Sequence, residues 1–188
     1  MSAENFLKDY LNDYSSLIRD NMDVISDLIL VRNCIMEAHK GGHKTIICGN
    51  GGSAAMASHV SVDLTKNAGV RCVNFNETDL ITCFANDYGF ERWVEKAVQF
   101  YGDEGDVLIA ISSSGNSGNM LNGCKAARNK KFSVVITFSG FNADNSLRQL
   151  GDINLWVDSK AYNFVENIHQ VWLLAIVDLI IGKREYTA

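Results

Sequence analysis

Lys44–Ser53 reads KTIICGNGGS, a short apolar run that breaks into glycine, asparagine and serine. Four apolar or β-branched residues are too few for a helix and suit a strand buried on both faces. The glycines that follow permit a tight turn, and apolar spacing of a helical kind then runs to about Asn67. Moving outward, the same alternation recurs. Further strands are expected at Arg71–Phe75, Val107–Ile111, Phe132–Thr137 and Ile153–Val157. Helices are expected between most of them, around Asp79–Ala85, Arg92–Tyr101, Ser117–Lys130 and Asn145–Leu150, with a last one from about Phe164 to Ile181. Strands alternating with helices predict an α/β fold with a parallel sheet covered on both faces. In such sheets ligands sit outside the carboxyl ends of the strands.

Ahead of this alternation lie two amphipathic helices. Phe6, Tyr10, Leu11, Tyr14, Leu17 and Ile18 recur at spacings of three and four, as do Ile25, Leu28, Ile29, Ile35 and Met36 before Gly41-Gly42. The chain thus reads as one domain over 1–188, with a helical arm at 1–41 and an α/β core at 44–188. Of the 188 residues, 47% are hydrophobic, so a sizeable core is expected and disorder is not. A net charge of −5 lacks the basic footprint of a nucleic-acid binder, although a local site can still hold a small anion. Charges in Met1–Asp9 argue against a signal peptide, and Asp178 interrupts the longest apolar run. A soluble chain with no membrane partner is expected. Five scattered cysteines (Cys34, Cys48, Cys72, Cys83, Cys124) without a CxxC pair read as reduced thiols in a reducing compartment.

Two strand-to-helix loops carry the candidate chemistry. The first, Gly49–Ser53, offers glycines for close backbone approach and a helix start whose free N–H groups suit an anion. It is neither GxGxxG nor a Walker loop, so no nucleotide cofactor is expected. The alternative is a plain tight turn with Ser53 as N-cap. The second loop, Ile111–Ser117 (ISSSGNS), gathers four hydroxyls at the next helix start. Hydroxyls and backbone N–H groups bind phosphate without a cationic side chain. Here the alternative is a serine-rich turn capped by Ser117.

Together, CGNGGSAAMASH and ISSSGNSGN resemble the sugar isomerase (SIS) domain, and within it the phosphoheptose isomerase group. The resemblance extends over Asn86-Asp87-Tyr88-Gly89-Phe90, Gly105-Asp106-Val107-Leu108 and Val165-Glu166-Asn167-Ile168-His169. It implies a flavodoxin-like three-layer fold with a five-stranded parallel sheet, and a homotetramer with sites between subunits. It implies that Ser112, Ser113, Ser114 and Ser117 hold the phosphate. Asn50, Gly51, Gly52, Ser53, Asn86, Asp87 and Glu166 would contact the sugar. The implied activity is a cytoplasmic aldose–ketose isomerisation of sedoheptulose 7-phosphate, feeding heptose into lipopolysaccharide or capsule.

The chain departs from that pattern where proton transfer is concerned. The family's base is a Glu four residues after a His; here His59 is followed by Asp63, one methylene shorter. The same His and Glu, with a Gln and a His on the last helix, bind zinc in many members. Those last two positions hold Glu166 and Leu174, and an Asp before the helix is replaced by Asn163. The resemblance therefore assigns Asp63 as base. Beside Glu166 on a helix face, His169 is a candidate acid. A rebuilt zinc site of His59, Asp63 and Glu166, with His169 nearby, stands against plain packing roles for the last-helix residues. The alternative to an enzyme is a SIS module that binds phosphosugar or a protein partner without catalysis.

Overall fold

The computed structural model describes residues 1–186. Five strands pair in parallel: β1 (Thr45–Cys48), β2 (Cys72–Val73), β3 (Val107–Ser112), β4 (Val134–Ser139) and β5 (Ile153–Trp156). Their order is β2-β1-β3-β4-β5. This is the flavodoxin-like arrangement, whose strand order reverses between β1 and β3. The two loops singled out above leave the carboxyl ends of those two strands.

Alternation along the strands splits the core in two. Val107, Ile109 and Ile111 face one side and pack with α2 (Ile25–Lys40), α3 (Gly52–Lys66) and α7 (Tyr162–Ile181). Leu108 and Ala110 face the other side, with α5 (Trp93–Tyr101) and α6 (Gly118–Asn129). Between β2 and α5 lies α4 (Thr78–Tyr88), whose Leu80, Ile81 and Phe84 lean on that second core. At the amino ends of the strands, the Asp106 carboxylate takes Lys44 Nζ at 2.6 Å and the Lys44 and Asp103 amides at 3.0 and 2.9 Å. This buried acid ties the entry of β1 to the entry of β3.

Most expected elements form close to their expected bounds, and two differ. The strand expected at Arg71–Phe75 shrinks to Cys72–Val73, a short edge, because Asn74 and Asn76 turn their amides onto α3, toward Ser61 Oγ and Ala54 O. The helix expected at Asn145–Leu150 is instead a series of turns. There the buried Asn145 amide donates to Ser139 Oγ, Gly140 O and Asn142 O, and its Oδ1 accepts from Arg148 N. These side-chain bonds compete with the helical pattern and win.

Both helices expected ahead of the first strand form. Ser2 caps α1 (Ala3–Asp20) by accepting from Asn5 N at 3.2 Å. Tyr10 and Tyr14 set their rings against Phe164 of α7, with centroids 4.6 and 5.9 Å apart. No residue of α1 is buried, and Phe6, Leu7 and Leu11 are exposed. By length and composition α7 is apolar enough to cross a membrane. Its Val165, Ile168, Trp172, Leu173, Ile176 and Val177 are buried in the first core.

Candidate functional site

The first loop ends β1 and starts α3. Gly51 adopts φ +54 and ψ −123, a conformation that L side chains rarely take. It is the N-cap, so Ser53 lies inside the helix, buried, rather than capping it. The second loop ends β3 and starts α6. Gly115 turns it with φ +69, donating its N–H to Ser112 O at 2.9 Å. Ser117 precedes the helix but makes no side-chain cap; its hydroxyl shares a 3.0 Å hydrogen bond with Ser112 Oγ instead.

A reciprocal amide pair couples the loops. Asn50 Nδ2 donates to Asn119 Oδ1 at 3.0 Å, and Asn119 Nδ2 returns a bond to Asn50 Oδ1 at 2.8 Å. Asn119 also takes Met120 N at 3.1 Å, which fixes the amide at the first turn of α6. Bonds from Gly140 N to Ser113 O and from Leu147 N to Gly115 O brace the second loop from behind. Two backbone hydrogen bonds thus hold the loop from the β4 side and from the turns after it.

Between the loops lies a cavity of about 200 Å³, lined by Asn50, Ser53, Ile111, Ser112–Ser114, Ser117, Tyr162 and Glu166. Its wall is mostly hydroxyl and amide. Ser113 is buried and its Oγ has no hydrogen-bond partner among the described residues. Burying a hydroxyl unpaired costs about 1–3 kcal/mol, so the fold keeps Ser113 ready for an acceptor from outside. Phosphate supplies such acceptors, and the start of α6 supplies dipole and N–H groups. Glu166 belongs to the same lining, its carboxylate packed so closely over Gly52 that a Cβ there would collide with it.

The remaining candidates divide. Asn86 and Asp87 are exposed at the end of α4; Asn86 Nδ2 donates to Asp87 Oδ1 at 2.9 Å, and neither lines the cavity. His59 and Asp63 meet on α3, with His59 Nε2 and Asp63 Oδ2 3.2 Å apart. Asp63 Oδ1 also accepts from Asn67 Nδ2 at 3.0 Å, and Asp63 does not line the cavity. The residue that reaches His59 from α7 is Gln170, whose Nε2 donates to Nδ1 at 3.5 Å. Glu166 lies one turn earlier, so the expected set of His59, Asp63 and Glu166 does not assemble. Leu174 packs against the first core. Among the described residues no group of three His, Cys, Asp or Glu side chains is placed to hold a metal ion. Within one chain the donors present do not make up the zinc site of the resemblance.

His169 corrects a second expectation. It shares a spacing with Glu166 but not an environment: it is fully buried between Phe138 and Trp172, where Nε2–H donates to Ser139 O at 3.0 Å. Burial pushes its imidazole down to about 4, against a weaker opposing effect of the Ser139 bond. Enclosed in this way it is a packing and anchoring residue, not an acid in reach of the cavity. Sequence reasoning gave no role to Asn119, although it closes the ISSSGNSGN stretch, nor to Tyr162 and Gln170, which lie in no motif.

Fold and loops together define an α/β domain with a hydroxyl-lined pocket at the switch point of a flavodoxin-like sheet. The SIS domain family matches residues 6–139, and the chain belongs to that family. It is 31% identical over 189 residues to the phosphoheptose isomerase of Buchnera aphidicola subsp. Acyrthosiphon pisum, covering 97% of this chain and 92% of the relative. To the phosphoheptose isomerase of Hamiltonella defensa it is 33% identical over 156 residues, covering 80% and 74%. The structure of phosphoheptose isomerase from Neisseria gonorrhoeae superposes with a TM-score of 0.89 at 26% identity, covering 96% of this chain and all of that one. A Francisella tularensis phosphoheptose isomerase has the same fold, with a TM-score of 0.90 at 23% identity.

Proposed function

We propose that the chain is a sugar-phosphate aldose–ketose isomerase that converts sedoheptulose 7-phosphate to a heptose 7-phosphate. The observation that carries this reading is its match, along nearly the whole chain, to phosphoheptose isomerases. The cavity agrees with it: Ser112, Ser113, Ser114 and Ser117 take the phosphate, while Asn50, Ser53 and Glu166 face the sugar. Interconversion of ketose and aldose moves a proton between adjacent carbons through an enediolate, so it needs a carboxylate or equivalent base beside the sugar. Asp63 and Glu166 are the two acids that sequence and structure offer. The product would serve surface-polysaccharide heptose synthesis in the cytoplasm. The working form is a homotetramer, in which Asn86 and Asp87 complete the pocket of a neighbouring copy.

Leu174 favours a second reading, because it replaces a titratable group by one that can neither donate a proton nor bind a metal. On that reading the chain binds phosphosugar, or a protein partner, without turning sugar over. Incubation with sedoheptulose 7-phosphate, followed by NMR, separates the two. An aldose product establishes the isomerase. Thermal protection by the sugar phosphate without any product establishes the binder.

A further inference from the structure

We propose that Tyr162, propped by Phe141, is the residue with which the cavity holds the carbon chain of a sugar phosphate, a role that rests on the phosphosugar reading. It would tell such a molecule from phosphate alone. Three loops and the start of α7 meet at the cavity. At one end of the first turn of α7, the Glu166 carboxylate lies over Gly52, at the start of α3. At the other end, the Tyr162 ring stands edge-on to Phe141 in the loop after β4, with centroids 4.8 Å apart and planes at 66°. Tyr162 and Glu166 are four residues apart and so share a helix face. That face reaches from the loop after β4 to the loop after β1, which flank the serine-rich β3 loop in the sheet order. Gly140, just before Phe141, donates to Ser113 O at 2.9 Å, and a Cβ there would meet Val165 of α7 at 2.8 Å.

A sugar has hydroxyl edges and C–H faces, and the two need different partners. Most of the cavity lining is hydroxyl, amide and carboxylate. Among the described residues that line it, the other apolar one, Ile111, is fully buried, whereas Tyr162 is 57% exposed. The phenol ring is therefore the apolar surface on which a run of C–H groups can leave water. Phe141 shows that the ring is held in place against strain. Its backbone sits at φ +60, a left-handed conformation that a bulky side chain adopts only with strain and glycine adopts freely. The Phe141 N–H donates to Ser159 O at 2.9 Å, and its ring packs on the first core. What the strained residue supplies is an aromatic partner for Tyr162. Both residues belong to one chain, so their contact is the same whichever copy supplies the acid that moves the proton.

Calorimetry tests this with sedoheptulose 7-phosphate, glycerol 3-phosphate and inorganic phosphate, with light scattering on each full-length variant. Tyr162→Ala should weaken sedoheptulose 7-phosphate about tenfold, the worth of leaving roughly two CH2 groups in water, and inorganic phosphate by less than about twofold. Glycerol 3-phosphate, with its shorter chain, should fall between them. Tyr162→Phe keeps the ring and should stay within about threefold of wild type. Phe141→Ala should also weaken the sugar phosphate, and the double variant should be no weaker than Tyr162→Ala, because the two rings act as one unit. In turnover, Tyr162→Ala should raise KM more than it lowers kcat. An equal loss for sugar phosphate and inorganic phosphate would mark a disturbed serine loop and overturn the proposal. So would unchanged affinity for the sugar phosphate, a Tyr162→Phe loss as large as that of Tyr162→Ala, or a Tyr162→Ala protein of altered assembly. Wild type that holds sedoheptulose 7-phosphate no better than inorganic phosphate would instead overturn the phosphosugar reading itself.

Discussion

At position 169 an imidazole is closed in by Phe138, Trp172 and the end of β4, and one of its two nitrogens, Nδ1, has no partner among the described residues. Only the neutral form suits that surrounding, and burial holds its titration near 4, below the ordinary 6.5. Between those two pH values the unfolded chain binds a proton that the folded chain refuses. Stability therefore rises with pH through this window and is lost as pH falls from 6.5 toward 4, by up to about 3 kcal/mol. Urea unfolding at pH 7.5 and pH 4.5 checks this against His169→Gln. The variant should lose less on acidification, and an equal loss in both would remove His169 from the acid response. Ser113 makes a different kind of prediction, because its buried hydroxyl has no hydrogen-bond partner among the described residues. Ser113→Ala should leave the melting temperature of the free protein unchanged or raised, since an unpaired group is removed. The same change should weaken sugar-phosphate binding roughly tenfold or more, the worth of a hydrogen bond to a charged group. A variant that loses stability but not affinity would show that Ser113 serves the fold.

Among the elements, α3 and α6 start from the two loops that line one cavity, and the Asn50–Asn119 amide pair ties the first loop to the first turn of α6. Asn119→Ala leaves the Asn50 amide without that partner and should cost about 1–3 kcal/mol in chemical unfolding. It should also raise KM for sugar phosphate more than it lowers kcat, because it loosens binding loops without touching the reacting carbons. Unchanged KM with reduced stability would make the pair a scaffold only. At this scale the sequence was readable where the physics is local. Runs such as VLIAI and VVIT declare buried strands, and glycine and serine clusters mark both loops. What escaped it is non-local. The Asn50–Asn119 pair joins residues 69 apart, and nothing in NMLNG announces which side chain turns inward. Asn145 defeats an expected helix because its partners, Ser139 Oγ and Gly140 O, are set by β4 rather than by its own neighbours. Spacing placed Glu166 and His169 on one helix face, but the boundary between core and cavity runs between them. The acid came to line the pocket and the histidine to fill the core.

At the scale of the molecule, the chain leaves apolar surface that one copy does not use. Phe6, Leu7 and Leu11 on α1 are exposed, followed by Met22, Ile25, Ile29 and Leu30 around the start of α2. Exposed apolar side chains in this number on α1 and α2 suit a covering surface. The cavity points the same way. At about 200 Å³ it falls below the roughly 300–1,000 Å³ of complete small-molecule sites, and Asn86 and Asp87 lie outside it. A second copy that covers the arm and brings its own α4 end to the pocket would answer both shortfalls, and closed two-fold symmetry is the common way to do so. Leu7→Glu combined with Leu11→Glu separates assembly from folding. Both positions are solvent-exposed in the single chain, so their direct cost to it is within about 0.5 kcal/mol each. Light scattering should report a tetramer for wild type and a smaller species for the double variant. The α/β core should keep its circular dichroism while turnover falls sharply, because each pocket would lose its neighbour. A wild-type monomer at micromolar concentration would refute the shared pocket. So would a dissociated variant with undiminished turnover, since the chain would then hold every group its chemistry needs.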